Sequence, residues 1–292
     1  MHSKQFILLL SLILSVTIYA QEDYEYIGAI KLNDTSYISY KISFDENEGL
    51  LRGYSVTDMG GSHETMSHLS GYYDAEKDEI EFYESGILYT KSYITQNDFC
   101  YVHFKGKLKK LDNRQGIQGV FEGLYDNGES CIDGSIQLIN FKKALKRARR
   151  IDKKIDRTIL ISKEKRDKVN IVKELESASL NMLANGETLN VFTDLDEITL
   201  RLFDAGQEDG DRISLRMNDH LLLDNYTVSN TPREFKIPVE VPNTTLQLEA
   251  INSGSIGANT VKVELVLDDN TVIDALTNLN AGDNTTLVLR KR

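Results

Sequence analysis

Ser36-Tyr37-Ile38-Ser39-Tyr40-Lys41-Ile42-Ser43-Phe44 alternates strictly: Ile38, Tyr40, Ile42 and Phe44 share one face, while Tyr37, Ser39, Lys41 and Ser43 share the other. A period of two marks a half-buried strand, because successive side chains of an extended chain point to opposite faces. The residues that follow, Asp45-Glu46-Asn47-Glu48-Gly49, have turn composition, and a second strand is expected over residues 50–56. Similar strands are expected at 69–73, 80–83, 87–94, 99–109, 117–124 and 130–139. Between the last two, Asp126-Asn127-Gly128 is a hairpin signal, since Asn-Gly tolerates the positive φ of tight turns.

Glycine recurs inside these strands, in Leu51-Arg52-Gly53-Tyr54, Leu69-Ser70-Gly71-Tyr72 and Ile117-Gln118-Gly119. Within a strand it marks a bulge, a corner bend or a close backbone approach. About eight antiparallel strands with glycine bends predict a small meander barrel over residues 21–140. By this pattern the N-terminal half resembles the meander barrels of the lipocalin and avidin families. The signature residues those families carry around their first strand are absent, so the resemblance implies a fold and no ligand cavity.

Upstream of the barrel, Lys4, an apolar run from Phe6 to Leu14 and small residues ending at Ala20 read as a signal peptide over residues 1–20. The run is shorter than the ~20 apolar residues that span a bilayer. A soluble product beginning near Gln21, secreted or periplasmic, is therefore expected, with no transmembrane segment. The Ala20-Gln21 junction suits bacterial export, in which setting the Asn-x-Ser/Thr triplets at Asn33, Asn225, Asn243 and Asn284 are chance. Oxidation is permitted outside the cytoplasm, and Cys100 and Cys131 are expected to form one disulfide.

Residues 141–186 break the strand pattern and read as a basic helical connector. Phe141, Leu145, Ala148, Ile151, Ile155 and Ile159 recur at helical spacing among many lysines and arginines. A second helix is expected from Ser162 as N-cap, presenting Ile171, Val172, Leu175, Ala178 and Met182 and ending at Asn185-Gly186. The chain carries a formal charge of −11, yet residues 141–173 hold 14 Lys and Arg against 4 Asp and Glu, so the remainder totals −21. An acidic body repels phosphates, which excludes nucleic acid as a partner. The basic helix reads as a solvated linker packed by its apolar stripe, or as a contact for an anionic surface.

From residue 187 to 292 strands return at intervals of about ten residues, which predicts a β-sandwich. Pro232, Pro238 and Pro242 place one strand at a sheet edge. The loop Asp204-Ala205-Gly206-Gln207-Glu208-Asp209-Gly210-Asp211 is the leading candidate site. Calcium takes six to eight oxygens, and Asp204, Asp209 and Asp211, with Gln207 or a backbone carbonyl, offer such a set. The spacing is not that of an EF-hand, and a solvated acidic hairpin is the alternative. The phrase Asp209-Gly210-Asp211-Arg212-Ile213-Ser214-Leu215, followed by Asn218, resembles C-terminal β-sandwich modules of secreted bacterial proteins, including calcium-dependent carbohydrate-binding modules. That resemblance implies Asp209 and Asp211 as metal carboxylates.

Catalytic patterns find little support. His63 and His68 are five apart, not at the i, i+4 spacing of a helical zinc motif, although with His103 they offer a three-histidine alternative. Glu79, Glu81 and Glu84 read as a charged outer strand face rather than a hydrolytic carboxylate pair. No G-x-S-x-G elbow and no phosphate-cradling glycine loop occurs. The expected role is therefore a non-catalytic binding protein for a glycan or an envelope protein. An architectural accessory subunit and, further off, a metal-dependent hydrolase are the alternatives.

Overall fold

The alternation at Ser36–Phe44 lies in the second strand of a closed barrel. The computed structural model describes residues 24–292 except 33, 34, 109, 112–115, 159–169, 178, 179, 256, 269 and 270. The expected signal peptide and the N-cap expected at Ser162 fall outside the described residues. Strands β1 (Tyr24–Lys31), β2 (Tyr37–Asn47), β3 (Leu50–Thr57), β4 (Thr65–Asp74), β5 (Glu79–Thr90), β6 (Tyr101–Lys107), β7 (Ile117–Leu124) and β8 (Gly134–Asn140) each pair antiparallel with the next. Pairing of β1 with β8 closes the ring. Closure satisfies the backbone groups that an open sheet leaves at its edges.

Side chains fill the interior. Tyr26, Tyr40, Phe44, Phe82 and Phe104 are buried there, with the Phe82 and Phe104 rings stacked 5.0 Å apart. Gly53 and Gly71 permit close approach of neighbouring strands, since a Cβ at either would collide with the backbone of Ser43 or Glu81. The disulfide joins Cys100, just before β6, to Cys131, just before β8, with 6.1 Å between their Cα atoms. Gly123, on the intervening strand, makes room for it: a Cβ there would lie 2.6 Å from the Cys100 sulfur.

Two expected strands, 80–83 and 87–94, are one. β5 runs through the first and into the second, ending at Thr90 so that residues 91–94 are not strand, with two register irregularities opposite Met66, Ser67 and His68 and a positive φ at Gly86. Its first part pairs with β6 up to Tyr83, opposite His103. Beyond that point β5 leaves β6, and Tyr89 and Thr90 pair with Val191 and Asn190 of β10 (Thr188–Thr193). One strand thus serves both the barrel and the C-terminal half.

Glu84 sits where the two strands part. Its Oε2 accepts the N–H of Val102 at 2.8 Å and its Oε1 accepts the Tyr40 hydroxyl at 2.9 Å. The carboxylate thereby occupies the acceptor role that the departing strand gives up. Burial raises the Glu84 carboxyl above its ordinary range, against hydrogen bonds from Ser55, Val102 and Tyr40 that lower it.

The C-terminal strands lie in two sheets. From β10 the large sheet continues through β18 (Asn284–Lys291), β15 (Thr244–Ala250) and β12 (Arg212–Met217) to β13 (His220–Thr227). A five-stranded sheet has the order β14 (Arg233–Pro238), β11 (Glu197–Phe203), β16 (Lys262–Val266), β17 (Val272–Thr277) and β9 (Met182–Leu183). Residues of both sheets share one apolar core, among them Leu200, Val263, Ile213 and Leu248. The proline-flanked strand, β14, is at an edge as expected. Asn218 and Asp219 both have positive φ in the turn joining β12 to β13.

Helix α1 (Phe141–Arg157) follows β8, with Asn140 as N-cap accepting the Lys143 N–H at 3.2 Å. It lies against β1 and β8 through buried Ala144 and Ala148. The second helix differs from expectation. Helix α2 covers Ile171–Ser177, and Met182, expected on it, belongs to β9. Leu183 is buried in the C-terminal core, and β9 pairs parallel with β17, so tertiary burial overrides helical spacing there.

Candidate functional site

The acidic loop, residues 204–211, joins β11 to β12, and other loops pin its two ends. At the first, the Asp204 Oδ1 accepts the Gly206 N–H at 2.8 Å, closing a local turn. The Asn230 amide donates to the carbonyls of Asp204 and Gly206, at 2.8 and 2.9 Å. At the second, the Asn252 amide donates to the Gly210 carbonyl at 2.9 Å and its Oδ1 accepts the Arg212 N–H at 2.7 Å. Ser255 donates its N–H to the Asp209 carbonyl.

This scaffold brings Asp209 and Asp211 together. Gly254, at φ +59°, faces both: a Cβ there would lie 2.6 Å from the Oδ1 of each. Only glycine fits, on grounds of space and of backbone conformation. Asp211 is 1% exposed; its Oδ2 accepts the Thr260 N–H at 2.8 Å, whereas its buried Oδ1 has no hydrogen-bond partner among the described residues. Burial raises the Asp211 carboxyl, the Thr260 N–H opposes this, and the charges of Asp209 and Asp204 raise it further. Asn259, fully buried, donates to the carbonyls of Arg212 and Asn252, and its Oδ1 too has no partner among the described residues.

Of the four residues read as ligands, the fold places Asp209 and Asp211 side by side. Asp204 is buried nearby with Oδ1 engaged by Gly206, and Gln207 is exposed. Among the described residues no three His, Cys, Asp or Glu side chains form a metal-holding group, so further oxygens would have to come from amides or carbonyls. Asn252, Gly254, Asn259 and Thr260 complete the corner and escaped the sequence reading.

The other candidates disperse. His63 is exposed and lies 2.9 Å from the Ser92 hydroxyl, and His103 stacks on Tyr83 outside the barrel. His68 packs by Tyr54, its pKa lowered by burial and then by Arg292. Glu79 and Glu81 pair with Lys107 and Lys105 on the outer wall, as expected, while Glu84 is turned inward. A 240 Å³ cleft between β3, β4 and β17 holds Glu64, whose carboxyl is raised by burial and accepts the Tyr89 hydroxyl at 2.8 Å. No helix of the described residues is long and apolar enough to cross a membrane. No protein-family model matches the chain, and no curated protein or solved structure matches it either.

Proposed function

We propose that the protein is an exported, non-catalytic binding protein of the bacterial cell envelope or exterior, that residues 187–292 form a β-sandwich, and that Asp209 and Asp211 hold a structural calcium ion in it. The partner in this reading is a glycan or an envelope protein. One observation carries the calcium assignment: the Asp211 Oδ1 is buried with no hydrogen bond from a described residue, beside a second carboxylate facing the same glycine. Desolvated like charges are unfavourable in the absence of a counter-charge. A hard divalent cation bound by oxygens is the ligand that such a corner accepts. Asn259, next in sequence to the Thr260 that binds Asp211, has a buried Oδ1 with no hydrogen-bond partner among the described residues and is an amide of the type calcium takes.

Calcium at 100 times its dissociation constant is expected to add about 2.7 kcal/mol to stability. For a chain of this size melting in one step that is a rise in melting temperature of roughly 4–5 °C. Thermal unfolding in EDTA and then in calcium reads it directly. Asp209→Asn and Asp211→Asn should each remove the rise, and Asp211→Asn in EDTA should melt no lower than the parent. Identical melting with and without calcium would reduce the corner to a structural turn.

A further inference from the structure

Helix α1 presents a surface that the calcium reading does not use. Nine of its 17 residues are Lys or Arg. At 100° per residue these nine cover about 160° of the circumference, opposite Ala144 and Ala148, along a length of about 25 Å. Apart from Lys143, none makes an ion pair with a described residue. The helix has two acids, and Asp152 is committed to capping α2, accepting the N–H groups of Ile171 and Val172 at 3.0 Å each. Cations at i, i+3 and i, i+4, such as Lys146, Arg150 and Lys153, repel one another along the face. The packing that holds α1 to the barrel therefore maintains a cationic array against its own repulsion.

We propose that this face docks on an anionic phospholipid bilayer. The apolar side of α1 faces β1, β8 and α2, with Ala144 and Ala148 buried, and Ile151, 37% exposed, lies on that same side, away from the middle of the cationic arc, so contact through the arc is electrostatic and at the headgroups, without insertion. A plane touches only the outer tangent of the helix, and the acidic remainder of the chain is screened beyond a Debye length of about 8–10 Å. A flexible polyanion would instead meet the acidic residues outside 141–173, which together carry −21.

The test is sedimentation of the form beginning at Gln21, which contains every described element, with phosphatidylcholine vesicles containing or lacking phosphatidylglycerol. Binding to the anionic vesicles alone, lost at 0.5 M NaCl, is expected. Lys146→Glu, Arg150→Glu and Lys153→Glu together should weaken partitioning about 100-fold or more, since each basic residue near an anionic leaflet contributes roughly five-fold. Lys146→Gln with Lys153→Gln, a milder change on exposed positions, should weaken it about 30-fold with unaltered circular dichroism. Equal binding to neutral vesicles, indifference to these substitutions, or capture of a soluble polyuronate without vesicle binding would each overturn the proposal.

Discussion

Replacing Cys100 and Cys131 with alanine should lower stability by about 3–4 kcal/mol, from the chain entropy that a loop of this length restores to the unfolded state. The bridge spans 31 positions and ties the entry of β6 to the entry of β8 across β7. All three strands close the barrel, so the loss falls on its closure. Urea denaturation of the double variant, beside the parent in a reductant, measures it; the two should agree. A difference below ~1 kcal/mol from the oxidised parent would mean that the unfolded chain is already held compact in this region. Gly123→Ala should destabilise the protein too, because its methyl group collides first with the Ile132 carbonyl oxygen and then with the Cys100 sulfur at 2.6 Å.

Glu84→Ala is the second large effect, at about 2–4 kcal/mol. It strands the buried N–H of Val102, takes the Tyr40 hydroxyl's carboxylate acceptor away and leaves a void. Glu84→Gln behaves differently. Its amide oxygen can accept from Val102 and its NH₂ can donate to Tyr40, with no charge to bury. Because the folded-state pKa of Glu84 is raised, its stabilising contribution is present below the ordinary carboxyl pKa and is lost as pH rises through the folded value. Relative to the parent, Glu84→Gln should therefore gain stability as pH rises through that window and show no gain below it. Melting curves of both proteins across pH check the sign. A Gln variant that loses ground at neutral pH would show that the charge itself holds the strand junction.

Much of the barrel was legible because one wall face is wet and the other dry, so β2, β3 and β7 alternate as sequences should. β1 was missed for a local reason. Ile27 is buried on the face opposite Tyr26 and Ile30, on a strand against which α1 lies, and this breaks the alternation. β5 was split because Gly86 interrupts the pattern at a bulge, after which Ile87, Leu88, Tyr89 and Thr90 are all buried. The eight strands expected in this half thus leave out β1 and count β5 twice. At the acidic corner, Asp209 and Asp211 stand out by composition within a few residues. Gly254, Asn259 and Thr260 reach the same corner from more than 40 positions away, and the pairings of β12 with β15 and of β11 with β16 bring that loop back.

The double membership of β5 has a consequence for how the protein comes apart. Tyr89 and Thr90 cannot leave β10 without baring an edge of the large sheet, and the same strand cannot loosen from β4 and β6 without opening the barrel. Heat or denaturant should consequently melt both halves in a single cooperative step. A gene cut at residue 140 would yield a piece with an unmatched strand end, a template for aggregation rather than a smaller soluble protein.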